Sequence, residues 1–150
     1  MPLNESRRLG SVSLTLPASV IVGSYHDFSL VYRAGFFGID DSGSIKVCFR
    51  YATDMGEPQF DRPSAPNYVR VSTSGRADMV ARYDKKDNTR PWGKTIYIKV
   101  ANGFLTEDDT IEVHFGDRSA GSPGIRMQTF CEETLEFRVL ADVFACYRYE

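Results

Sequence analysis

The 150 residues include 42% hydrophobic and 25% charged side chains, the balance of one folded domain and not of a disordered or collagen-like chain. A net charge of −2 excludes the sequence-wide basic field expected if nucleic acid were the main partner, and no apolar run approaches the ~18 residues of a membrane span. A chain of this length buries roughly 70% of its unfolded surface, so it needs neither disulfides nor a metal to fold.

Residues 1–8 are polar and lack the apolar core of a secretion signal; together with an odd cysteine count this favours the cytoplasm. Val12, Leu14 and Leu16 then alternate with Ser and Thr. Phe28, Leu30 and Tyr32 alternate with Ser29 and Val31, and His26 opens that run on the inward parity. Asp40-Asp41-Ser42-Gly43 is a turn in which Gly43 is expected at positive φ. Ile45, Val47 and Phe49 alternate with Lys46, Cys48 and Arg50. Residues 53–66 form a long connection with Pro58, Pro63 and Pro66.

Weaker strand candidates span 68–72 and 77–83, separated by Thr73-Ser74-Gly75, where Gly75 is again expected at positive φ. A second long connection, 84–94, is charged and contains Pro91-Trp92-Gly93. Ile96, Ile98 and Val100 alternate with Tyr97 and Lys99; Asn102-Gly103 is a hairpin-type signal, and Thr106–Asp109 caps at most one helical turn. Ile111, Val113 and Phe115 alternate with Glu112 and His114, followed by a Gly-rich loop at 116–124 and a weak strand at 125–130. Leu135, Phe137 and Val139 alternate with Glu136 and Arg138.

Each alternation gives one buried and one wet face, and no window keeps a helical stripe. About eight to ten short strands with turns between them predict an all-β antiparallel sandwich in one domain, immunoglobulin-like or jelly-roll-like. Residues 144–150 continue extended and aromatic with no Gly, Pro or charge cluster, so the natural chain is expected to run on beyond Glu150.

No residue set carries a catalytic signature. Cys48, Cys131 and Cys146 include no CxxC pair and are expected as reduced thiols. His114 should face solvent, and His26 reads as a hydrogen-bonded edge histidine or, alternatively, a ligand. Ser119 lies in a Gly-rich stretch, but Asp117 occupies the place a nucleophile elbow reserves for glycine. Asp40-Asp41 and Glu107-Asp108-Asp109 are oxygen-rich but lack the spacing of an EF-hand loop. No phosphate-cradling loop or dinucleotide fingerprint is present, and no cofactor is expected.

Trp92 with Arg90 either pins its own loop or, with Tyr68 and Phe60, lines a ligand groove between the two long loops. Arg126 and Gln128 share one face of the strand at 125–130; if Met127 points inward, both face out and can meet a ligand or a neighbouring domain.

The stretches 38–47 (GIDDSGSIKV), 65–69 (APNYV), 88–94 (NTRPWGK) and 121–130 (GSPGIRMQTF) resemble the N-terminal segment of a family of large bacterial proteins, domain of unknown function 3604. The likeness covers roughly residues 10–148 and rests on loop phrases. It implies a β-sandwich accessory region in a protein that, further along its chain, resembles PHP-type metal-dependent phosphoesterases. Two isolated histidines cannot supply the metal motifs of such an enzyme.

The leading expectation is therefore a non-catalytic accessory domain that packs on, or positions substrate for, a catalytic domain of the same native chain, through an exposed patch at Phe144, Tyr147 and Tyr149. A carbohydrate-type ligand-binding module at Trp92 is the first alternative. A small metal-dependent enzyme using Asp40, Asp41, His114 or Asp117 is the second, and requires three of these to converge. No nucleic acid or membrane partner is expected.

Overall fold

The period-two alternation is realised as extended chain almost throughout. The computed structural model describes residues 4–150. In chain order it contains one helical turn, α1 (Glu5–Arg8), and ten strands: β1 (Gly10–Leu14), β2 (Tyr25–His26), β3 (Phe28–Ala34), β4 (Ser44–Phe49), β5 (Val69–Thr73), β6 (Asp78–Asp84), β7 (Lys94–Ala101), β8 (Thr110–Phe115), β9 (Ile125–Arg126) and β10 (Phe137–Asp142). Asn4 opens α1, accepting the Arg7 backbone N–H on its side chain at 2.9 Å.

Two four-stranded antiparallel sheets, ordered β1-β3-β8-β5 and β10-β4-β7-β6, pack face to face as a β-sandwich; β2 and β9 form a separate short pair. Register places the apolar halves of each alternation side by side. Leu30 opposes Val113, which opposes Val71 in the first sheet; Ala141 opposes Ile45, which opposes Ile98 in the second. Between the sheets Leu30, Val47, Ile96, Ile98, Ile111, Val113 and Phe115 are buried. Four rings lock the sheets together: Phe28 stacks on Phe115 at 4.8 Å, and Phe137 approaches Phe115 at 5.6 Å and Phe49 at 5.7 Å.

Tertiary context revises several local expectations. Ser42, not Gly43, takes the left-handed conformation (φ 70°) in the Asp40–Gly43 turn. Glycine is needed at 43 for space, since a Cβ there would sit 2.6 Å from Ile39 Cγ2 and 2.8 Å from the Asp142 carbonyl. Gly75 also lacks positive φ; a Cβ there would come 2.5 Å from Leu105 Cδ2, so that side chain would have to shift. Asn102 and Gly103 both have positive φ (54° and 157°), but they join no hairpin: the turn carries the chain from β7 in one sheet to β8 in the other. Residues 106–109 form a hydrogen-bonded turn, Asp109 N–H donating to the Thr106 carbonyl at 3.1 Å. The run at Val12 and Leu14 does form a strand on the inner-face parity, yet these side chains stay 47% and 40% exposed because β1 is the last strand of its sheet.

All three cysteines are unpaired; Cys48 is buried, while Cys131 and Cys146 are exposed. Burial pushes the Cys48 thiol pKa up, and Asn88 and Thr95 donate hydrogen bonds to its sulfur at 3.4 and 3.6 Å. Two thiols of the native protein should therefore react within minutes with a disulfide reagent, and the third only on unfolding. Rapid release of three equivalents from native protein would contradict this packing.

Candidate interaction site

Exposed aromatic side chains gather where the chain leaves β10. Phe144 and Tyr147 are 54% and 89% exposed, and the Phe37 ring stands 5.2 Å from Phe144 and 5.5 Å from Phe36. Phe36, itself exposed, is held by its backbone N–H to the Arg7 carbonyl at 2.7 Å. A cleft of about 200 Å³ beside these rings is lined by Leu9, Phe37, Val143, Phe144 and Arg148.

A buried carboxylate shapes this surface. Asp142 accepts the Cys146 N–H at 3.0 Å on one oxygen and the Tyr147 N–H at 2.8 Å on the other. Those bonds close residues 142–147 into a tight turn with Ala145 and Tyr147 at positive φ. Tyr149 does not join the patch. It is half-buried, sharing a 2.5 Å hydrogen bond with Ser44 and lying under the Lys46 ammonium at 4.3 Å.

On the outer face of the first sheet, Arg70 of β5 and His114 of β8 connect with Asp27, just before β3, and Asp117, just after β8. Arg70 Nε donates to Asp117 at 2.6 Å, and its Nη2 lies 2.9 Å from His114 Nδ1. His114 Nε2 is bonded to Asp27. An arginine can only donate, so Nδ1 accepts and Nε2–H donates to Asp27. Both imidazole nitrogens are thus engaged and neither lone pair is free for a substrate. His114 lies on the outer face as its parity requires, but it is covered by these partners and does not stand in solvent. His26 is half-buried and pairs with Ser24 Oγ at 2.9 Å.

Of the residues singled out as ligand contacts, Arg90, Arg126 and Gln128 contact residues 51–54. Trp92 is buried, with the Arg138 guanidinium 4.5 Å over its ring, so it presents no open stacking face. The reason is that residues 84–94 fold across the outer face of the second sheet, where Lys46 Nζ meets the Asp87 carbonyl and Asn88 meets Cys48. Arg90 stacks on Tyr51 at 4.2 Å. Arg126 donates to the Asp54 carbonyl at 2.8 Å, and Gln128 accepts from Thr53 Oγ1 at 2.7 Å.

Met127 is buried, and so is Gln128: the paired strand ends at Arg126, and the face alternation expected at 127–130 is lost. Tyr68 and Phe60 are half-buried, Tyr68 bridging to Gln59. Gln128 borders a second cleft of about 410 Å³; Phe60, Tyr68, Arg90, Trp92 and Arg126 border neither cleft. Phe36 and Phe37 escaped sequence reasoning. Two adjacent phenylalanines break the alternation, and that break was the available signal.

Among the described residues, no three His, Cys, Asp or Glu side chains are grouped as a metal site. Asp40 and Asp41 sit in the β3–β4 connection, whereas His114 and Asp117 belong to the Arg70 network on the outer face of the first sheet. Among those residues, too, no helix is long and apolar enough to cross a membrane. No protein family, curated protein or solved structure matches the chain.

Proposed function

We propose that this chain is a non-catalytic accessory β-sandwich domain that packs on a catalytic domain of the same native protein, or positions substrate for it. The observation that carries this reading is the aromatic group in which Phe37 meets Phe36 edge-on and Phe144 at a tilt, all three open to solvent, with Tyr147 exposed three residues further on. Exposed aromatic area of this kind is stabilised by a partner that removes it from water, at roughly 25 cal/mol per Å². Asp142 supports the reading, since a buried carboxylate that orders the tail turn also presets the rings for docking. The likeness to domain of unknown function 3604 makes a PHP-type metal-dependent hydrolase the kind of catalytic domain to expect.

The native protein from its source should have an intact mass well above that of 150 residues. In that longer chain, Phe37→Ser with Phe144→Ser should loosen the junction, so that limited proteolysis releases the sandwich about tenfold faster. Asp142→Ala should do the same by disordering the turn. A native chain that ends at Glu150, or a junction indifferent to both variants, would remove the basis for an accessory role.

A further inference from the structure

Each sheet ends in two strands with one free side: β1 and β5 in the first, β10 and β6 in the second. An exposed edge is a template for another strand, and proteins block it with charge, proline or a covering segment. Three of these edges carry such a block. Along β5, Arg70 sits in the strand and the Val69 N–H is taken by the Gln59 carbonyl at 2.9 Å. β6 carries Asp78, Arg82 and Asp84. β10 carries Arg138, and its end is covered by the tail, Ala141 and Glu150 exchanging backbone hydrogen bonds at 2.9 and 3.1 Å.

β1 has no such device. Residues 10–24 contain no charged side chain, and their one proline, Pro17, lies beyond the strand. Register identifies the groups that face out. The Thr15 N–H bonds the Ser29 carbonyl at 3.0 Å, so by antiparallel alternation Ser11, Ser13 and Thr15 direct their backbone groups to β3. Val12 and Leu14 direct theirs to the free side. Their side chains share the inner face with Tyr32 and Leu30, opposite which they pair, yet remain 47% and 40% exposed. A cleft of about 410 Å³ bounded by Leu14, Leu16, Val20, Met127 and Leu135, with Glu132 and Glu133 on its wall beyond the strand, adjoins that opening.

We infer that β1 pairs antiparallel with β1 of a second copy of this chain. The strand is complementary to itself. Centred on Ser13, Val12 of each copy faces Leu14 of the other, giving four backbone hydrogen bonds and extending the apolar inner face across the junction. Charge selects this occupant. An uncharged edge offers no counter-charge to a charged peptide, whereas a second β1 is equally uncharged, and a net charge of −2 leaves little repulsion between copies.

Sedimentation velocity on the 150-residue protein tests the pairing. Wild type should sediment as a dimer at roughly 100 µM, where even a weak edge pair is populated. Val12→Pro removes an outward N–H from each copy without touching the bonds to β3, and should raise the dissociation constant roughly 30-fold. Ser13→Lys sets two like charges opposite one another on the outer face and should raise it roughly tenfold, with the melting temperature of the monomer retained. A wild type that stays monomeric, or a dimer that neither substitution weakens, overturns the inference.

Discussion

Phe115→Ala should lower the free energy of unfolding by about 4 kcal/mol, measured by two-state denaturant unfolding. Phe115 is fully buried, and its ring lies against Phe28 at 4.8 Å in its own sheet and against Phe137 at 5.6 Å and Phe49 at 6.3 Å in the other. Truncation therefore loses both the transfer of a large ring and contacts that join the two sheets. The remaining three rings are held by separate strands whose ladders resist collapse into the cavity, which puts the cost toward the upper part of the usual range. Phe104, 62% exposed in the turn after β7, is the control: Phe104→Ala should change stability by no more than about 0.5 kcal/mol. A Phe115→Ala loss below about 2 kcal/mol would mean that the sheets close over the gap, and that the four-ring cluster is not what joins them.

Asp117→Ala should cost about 2–3 kcal/mol and make the protein less sensitive to acid. The carboxylate is 3% exposed, accepts the Ser119 backbone N–H at 3.0 Å and the Arg70 guanidinium at 2.6 Å. The Ser119 N–H, and then Arg70, hold its pKa down at about 2 against an ordinary 3.8, although burial acts in the opposite direction. A pKa lowered by folding means that the ionised form stabilises the fold. That contribution is fully present above about pH 4 and is lost as pH falls toward 2. Wild type should lose stability across this window, and Asp117→Asn should lose less of it. Arg70 is 42% exposed at its side chain, so water resolvates the cation once Asp117 is gone, which keeps the cost below that of a fully buried pair. Parallel pH–stability curves for wild type and Asp117→Asn would show that some other carboxylate governs the acid limb.

Much of the fold was legible because burial on one sheet face leaves a period of two in the sequence. Phe28-Leu30-Tyr32, Ile45-Val47-Phe49, Ile96-Ile98-Val100 and Ile111-Val113-Phe115 alternate, and each is a strand with that set turned inward. The candidate site was partly legible. Phe144 and Tyr147 were expected at the surface and are there, but Tyr149 is tucked against Ser44 and Lys46, and Phe36 and Phe37 join the patch from a distant turn. Trp92 illustrates the limit. Its loop composition fits either an open platform or an internal anchor, and the crossing of residues 84–94 over the second sheet, with Arg138 above the ring, decides for the anchor.

Alternation alone identifies an all-β sandwich and most of its core residues, because a strand's side-chain period is set locally by the pleat. Other features come from the assembled fold: which strands end the sheets, the half-open apolar face of β1, the engagement of both His114 nitrogens, and the meeting of Phe37 with Phe144. These depend on strand order and on contacts between residues far apart in the chain, and alternation carries no information about either.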